Sequence, residues 1–319
     1  MFDVVALGEL LIDFAAQSTD ADGYPTMSAH PGGAPSNFLA ALSRYGAKTA
    51  LLGKVGQDHF GSLLLSTLQQ AGVETRGVLR DSESFTTLAF VTLDHRGERS
   101  FSFARKPGAD TRICFEELDL SMIDQARVFH FGSLSLTDEP ARTATQKAVA
   151  YAKERGKLIT CDPNLRRLLW ASESEAREQI LWGLRQSDVV KINGEELKFL
   201  WGCGPQEGAR RLLEECGVRL AMVTLGADGC YLENRQASCR LYTPEVHPVD
   251  STGAGDIFGG AAVSRLLELG KDPAALTEKK LTQVARFATM AASLSTEAPG
   301  GISSIPAMET VMDRLKKEA

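Results

Sequence analysis

The sequence predicts an α/β protein built on a mostly parallel sheet. Short apolar runs of the kind buried in parallel sheets, such as Asp3-Val4-Val5-Ala6-Leu7-Gly8, alternate with helical stretches along most of the chain. A β-rich hairpin pattern breaks that rhythm once, at 84–105. No repeat, low-complexity segment or separating linker interrupts the 319 residues, so a single domain over 1–319 is expected.

In chain order, the 3–8 strand runs into Glu9-Leu10-Leu11-Ile12-Asp13. Asp13 therefore falls just beyond a strand end, where open α/β sheets bind ligands, although a surface-turn acid fits equally. His30-Pro31-Gly32-Gly33-Ala34-Pro35-Ser36-Asn37 precedes a helical pattern over 38–46. The glycines allow close backbone approach, and Asn37 brings a donor and an acceptor to a helix start, which suits a polyhydroxylated ligand. Pro35 and Ser36 also fit plain helix initiation. A strand at 49–53 and a helix at 59–71 follow. The 84–93 and 99–105 runs, joined by a turn at 94–98, read as a hairpin covering one edge of a site, that is, a lid. Arg105, Gly108, Ala109 and Asp110 lie where it rejoins the body.

The alternation resumes with strand 127–132, helix 140–155 and strand 157–161. That strand leads into Asp162-Pro163-Asn164-Leu165-Arg166, three polar side chains at spacing two that point at a ligand, with Arg166 suited to phosphate. Helix 174–186 and strand 188–192 lead to Asn193-Gly194-Glu195-Glu196. Asn193 and Glu196, three apart at a helix start, can face one hydrated metal ion, and they equally fit an N-cap with its capping-box glutamate. Strand 220–224 ends in a glycine turn at 225–229, and a β pair over 229–233 and 239–243 follows. Residues 284–295 and 307–317 read as helices.

The most informative stretch is Asp250-Ser251-Thr252-Gly253-Ala254-Gly255-Asp256, which opens the helical run 257–267. Small residues at a helix start bring unpaired backbone N–H groups close to an anion. An acid placed there would repel a passively bound phosphate. As a base for a hydroxyl attacking that phosphate, Asp256 makes chemical sense. A P-loop is excluded because its lysine is missing, and a dinucleotide fingerprint because its third glycine position falls on Phe258. A glycine turn whose aspartate serves only the helix dipole is the plain alternative.

Composition narrows the function classes. Charged residues make up 24% and the net charge is −6, with no basic run, which argues against a nucleic-acid partner. No apolar run is long enough to span a membrane, and acids at 3, 9 and 13 interrupt any signal-like start. The six cysteines lack a Cys-x-x-Cys pair and read as reduced thiols of a cytoplasmic protein. The five histidines lack zinc spacing, so a metal here is expected to be a hard ion held by oxygen.

Gly32-Gly33 with Asn37 near one end, and Asp250 to Asp256 near the other, resemble the two signatures of the ribokinase-like (PfkB-type) carbohydrate kinases. The runs 53–58, 89–93, 162–166 and 190–192 are most similar to the fructokinases, and the likeness spans Gly8 to about Pro306. The resemblance implies a ribokinase-like three-layer fold with a small β-sheet lid from segments 10–31 and 84–110. It implies sugar binding by Asp13, Gly32, Gly33, Asn37 and Arg105, with Asp256 as base and Gly253, Ala254 and Gly255 as the anion hole. ATP is implied along Lys191, Thr224, Gly226 and Gly229, with Asn164 and Arg166 near its phosphates. Asn193 and Glu196 match an Asn-x-x-Glu motif that orders magnesium and its waters. Asp250, Thr252, Gly300 and Ser304 match ligands of a monovalent cation, usually potassium. Gly108, where relatives often carry serine, and polar Thr111-Arg112 depart mildly from the pattern. The expected reaction is ATP-dependent phosphorylation of a primary hydroxyl, that of D-fructose at C6. 2-Keto-3-deoxygluconate or an aminoimidazole riboside are alternative acceptors, and a non-catalytic sugar sensor is a distant one. A homodimer through the lid is also expected.

Overall fold

The protein is seen in a computed structural model that describes residues 1–93 and 99–318. The turn expected at 94–98 lies outside the described residues. The strands are β1 (Phe2–Leu7), β2 (Leu11–Thr19), β3 (Pro25–Gly32), β4 (Thr49–Gly56), β5 (Val73–Glu74), β6 (Val78–Asp81), β7 (Leu88–Leu93), β8 (Arg99–Ala104), β9 (Ala126–Gly132), β10 (Leu158–Asp162), β11 (Val189–Asn193), β12 (Leu220–Thr224), β13 (Cys230–Asn234) and β14 (Ser238–Leu241). The helices are α1 (Ala34–Arg44), α2 (His59–Gln70), α3 (Leu120–Asp124), α4 (Ala141–Glu154), α5 (Glu173–Gln186), α6 (Gly194–Trp201), α7 (Pro205–Glu215), α8 (Ala254–Leu269), α9 (Glu278–Ser295) and α10 (Met308–Lys317).

The main sheet runs β14-β13-β12-β11-β10-β9-β1-β4-β5, with β6 also on β4. From β12 through β5 every pairing is parallel, and only β13 is reversed, pairing antiparallel with β12 on one side and β14 on the other. The β pair read at 229–243 thus extends this sheet. Strand order turns back at β1, which has β4 on one side and β9 on the other, so a crevice opens beyond the carboxyl ends of these strands.

Alternation within each strand builds three layers. Val4, Ala6, Leu51 and Val128 face a core shared with α1, α8 and α9. Val5, Leu7, Leu52 and Phe129 face the opposite core, with α4, α5 and α7. Burial on both faces is why these strands read as unbroken apolar runs. On the first side α8 crosses α1 closely. A Cβ on Gly260 would lie 2.6 Å from Phe38 O and 2.8 Å from Ala41 Cβ, so glycine at 260 lets the two helices pack.

A separate four-stranded sheet, β3-β2-β7-β8, is formed by the two segments expected to make the lid. The pattern of β2 and β3 was illegible because most of their residues are half-buried or exposed, so no strong alternation marks them. Two helices begin earlier than expected. α1 starts at Ala34, with Pro35 in its first turn, and α9 starts at Glu278, because its first turn is exposed and polar. No helix among the described residues is long and apolar enough to cross a membrane.

Candidate active site

The packing of α1 on α8 brings together two residues 219 positions apart: Asn37 Nδ2 donates to Asp256 Oδ2 at 2.8 Å. Asn37 sits in the first turn of α1, where its N–H meets Gly33 O at 2.9 Å. Its Oδ1 is buried without a protein partner, an acceptor available to a ligand hydroxyl. Gly253 adopts φ 75° as the N-cap of α8, a left-handed position that glycine takes without strain. A Cβ there would meet Gly301 Cα at 2.9 Å. The N-terminal turn of α8 leaves its amides without intrahelical acceptors. That of Ala254 turns back to Ser251 O at 3.3 Å, so the anion-facing donors are better sought at Gly255 and Asp256 than at Ala254.

Behind this turn lies a charged cluster on the ends of β10 and β11. Lys191 Nζ pairs with Asp162 Oδ2 at 2.9 Å, both nearly fully buried. A Cβ on Gly255 would lie 2.9 Å from that Nζ, so glycine is needed for Lys191 to reach the helix start. Asp256 keeps some exposed surface but is ringed by protein, and burial with the nearby Asp162 charge pushes its carboxyl up to about 7. Lys191, the Asn37 bond and Arg166 pull the other way. Burial raises Asp13 to about 6, with Asp250 adding to the rise and Arg166 opposing it, which places Arg166 within electrostatic reach of both aspartates. Gly32 lets Asp13 lie against the loop, since a Cβ there would be 2.3 Å from Asp13 Oδ2. Asn164 has φ 45°, the one described non-glycine residue in the left-handed region, and such strain clusters at ligand sites.

Asn193 and Glu196 form the capping box. Asn193 Oδ1 accepts from Glu196 N at 2.9 Å, and Glu196 Oε2 accepts from Asn193 N at 2.9 Å. Glu196 Oε1 accepts from Leu165 N at 2.7 Å, so both carboxylate oxygens already hold backbone amides. The structure therefore gives the helix-capping role directly. Asp162 is one of the three polar side chains that the sequence points at a ligand, though with no role of its own assigned there. Its Oδ1 is buried and unpartnered, and with Glu196 and Asp256 it places three carboxylates around Lys191. That surplus of negative charge suits a divalent cation arriving with a triphosphate. Among the described residues no three acids, histidines or cysteines come close enough to cage a metal directly.

Thr224 pairs in register with Asn193, which puts the β12 end and its Gly226–Asp228 turn on the same rim. Gly229 has its own structural reason: a Cβ would meet Leu241 O at 2.1 Å. Asp250, Thr252 and Gly300 do come together, with Asp250 accepting from Thr252 N at 3.0 Å, Thr252 Oγ1 at 2.7 Å and Gly300 N at 3.0 Å. Ser304 Oγ donates to Gly301 O at 3.0 Å.

Arg105 departs from the expected sugar contact. It is 4% exposed, with Nε on Asp110 Oδ2 at 2.8 Å, Nη1 on Thr137 Oγ1 at 2.7 Å and Nη2 on Leu134 O at 2.8 Å. Nη2 also pairs with Asp110 at 2.7 Å, and Asp138 stands 3.5 Å from Nη1. Its donors are committed to protein, because a buried guanidinium must satisfy them. It fastens the end of β8 to the body.

A carboxyl raised to about 7 at a helix N-terminus, glycine-flanked amides beside it and a surplus of buried acid fit a phosphoryl-transfer site on an α/β scaffold. Residues 1–308 match the pfkB family carbohydrate kinases, and the chain belongs to that family. It is 42% identical to Fructokinase-1 of Zea mays over 98% of both chains. Fructokinase from Xylella fastidiosa with bound ATP superposes with a TM-score of 0.91 at 30% identity, over 100% of this chain and 99% of that one. A fructokinase double mutant from Vibrio cholerae O395, in its fructose-, ADP- and potassium-bound form, superposes with a TM-score of 0.86 at 29% identity over 98% of both. The carbohydrate-kinase fold and class expected from the two signatures are thereby established.

Proposed function

We propose that this kinase transfers the γ-phosphoryl group of ATP to the 6-hydroxyl of D-fructose. The observation that carries the reading is Asp256, held by Asn37 at the start of α8 with its carboxyl near 7. That value suits a general base working near neutral pH. The similarity to fructokinases along almost the whole chain supports fructose as acceptor.

Asp13, Gly32, Gly33 and Asn37 hold the sugar, and Asn37 Oδ1 accepts one of its hydroxyls. Asp256 takes the proton of the attacking hydroxyl as its bond to phosphorus forms. The amides at Gly253, Gly255 and Asp256 face the charge that develops on the transferred group, and Lys191 and Arg166 add positive charge beside it. ATP lies along the rim of Thr224, Gly226 and Gly229, with Asn164 near its phosphates. Magnesium held through water by Asn193 and Glu196, with Asp162 close by, would neutralise phosphate charge when bound. The loop joined by Asp250, Thr252 and Gly300, with Ser304 bonded to the neighbouring Gly301, would be the place for a potassium ion.

The small sheet serves as a lid that excludes water, and its faces offer a route to a homodimer. The six cysteines are free thiols, in keeping with a reducing cytoplasm. The test is a panel of D-fructose, 2-keto-3-deoxygluconate and an aminoimidazole riboside with magnesium-ATP, read as ADP release. The highest kcat/KM is expected on D-fructose. A higher value on another panel member would reassign the acceptor, and no turnover with any would favour the sensor.

A further inference from the structure

Glu9 was given no role from the sequence, yet it is 2% exposed and lies two residues beyond the end of β1, beneath the glycine loop. A buried carboxylate needs partners. Glu9 Oε1 accepts the amide of Ala34 at 2.9 Å, and its backbone O accepts Ser36 Oγ at 3.3 Å. Ala34 opens α1, whose N-cap is Gly33 and supplies no side-chain hydrogen bond. The helix thus lacks a cap of its own, and an acid 25 residues earlier provides the acceptor. The loop also lies against Glu9 directly: Gly33 has φ 109°, and a Cβ on it would be 2.5 Å from Glu9 O.

What this cap holds is the acceptor side of the site. Gly33 O takes the Asn37 N–H, and Asn37 holds Asp256. On its other side Glu9 is within electrostatic reach of Arg105 and Asp110, the pair that fastens β8. We propose that Glu9 is a positioning residue for phosphoryl transfer: by capping α1 at Ala34 it fixes the Gly32-Gly33 loop against the sugar and Asn37 against Asp256. The proposal rests on the sugar-kinase reading. Its chemistry requires an acceptor at Oε1 and no negative charge, so glutamine is a competent replacement.

The test compares Glu9→Ala, Glu9→Gln, Ala34→Pro and the Glu9→Ala/Ala34→Pro double variant. Proline at the first helical position keeps the helix while removing the N–H that Glu9 receives. Wild type is first assayed on D-fructose. Failure there defeats the fructose reading alone, and the variants are then compared on the panel sugar with the highest kcat/KM, or by calorimetric sugar Kd if none turns over. Glu9→Ala and Ala34→Pro should each raise sugar KM or Kd roughly tenfold, the effect of losing a cap. ATP Kd should stay within twofold of wild type, Glu9→Gln within about threefold on the sugar, and the double variant should be no worse than the singles. If Glu9→Ala does not fold, Ala34→Pro against Glu9→Gln decides. Unchanged sugar affinity in the folded variants, equal losses for sugar and ATP, additive singles, or Glu9→Gln as impaired as Glu9→Ala would each overturn the proposal.

Discussion

Asp256→Asn is the sharpest perturbation of the site. The substituted amide can turn its oxygen to Asn37 Nδ2 and so keep the 2.8 Å contact that joins α8 to α1. It cannot accept a proton. Loss of a positioned base usually costs about 10²–10⁴-fold in rate, or about 2.7–5.4 kcal/mol of transition-state stabilisation. The same change removes a negative charge from a cluster in which Asp162 and Asp256 already repel, with Lys191 between them. Nucleotide phosphates should therefore bind as well as before or more tightly. The assay is kcat by ADP release and nucleotide Kd by calorimetry on one preparation, with thermal unfolding as the check on the fold. Retention of more than about a tenth of wild-type kcat would refute the base assignment. Collapse of kcat together with loss of ATP binding would instead make Asp256 a structural part of the cradle.

Glu196→Gln must give up one of two backbone amides, which costs about 1–3 kcal/mol. The urea midpoint should fall and the magnesium half-saturation should rise, and an unchanged magnesium titration would leave Glu196 a cap alone. Arg105→Ala leaves the buried Asp110 without its cation, so urea unfolding should show a loss of about 3–5 kcal/mol with ATP Kd unchanged. Near-wild-type stability with a tenfold higher sugar KM would return Arg105 to the sugar site. Asp256 has a folded pKa raised above its unfolded value, so its favourable contribution is present at low pH and is lost as pH rises through about 7. The unfolding free energy of ligand-free wild type relative to Asp256→Asn should therefore fall between pH 5 and 8. Comparing the two chains cancels His130, which burial depresses to about 3 and which acts in the opposite sense. A flat difference would refute the raised pKa.

The parallel strands were legible because burial on both faces leaves apolar runs such as 3–8 and 220–224 with little else to be. The site signatures were legible for a related reason: Gly32-Gly33 and 253–255 permit backbone approaches that a side chain would block. Partners across the fold were not. Nothing local to Asn37 names Asp256, and Lys191 and Asp162 are 29 residues apart. Arg105 was expected, from the family resemblance, to bind the sugar, whereas its partners come partly from 134–138, beyond any local pattern. Glu9 carried one signal, an acid two residues beyond a buried apolar strand, but its meaning depends on a helix that begins 25 residues later.

The central claim is tested most directly by the product itself. The chain, magnesium-ATP and uniformly ¹³C-labelled D-fructose would be incubated to completion and the mixture read by ³¹P and ¹³C NMR. One ADP per sugar phosphate, with carbon–phosphorus coupling at C6, is the predicted result. Phosphate at C1, or ADP released with no sugar phosphate formed, would contradict it.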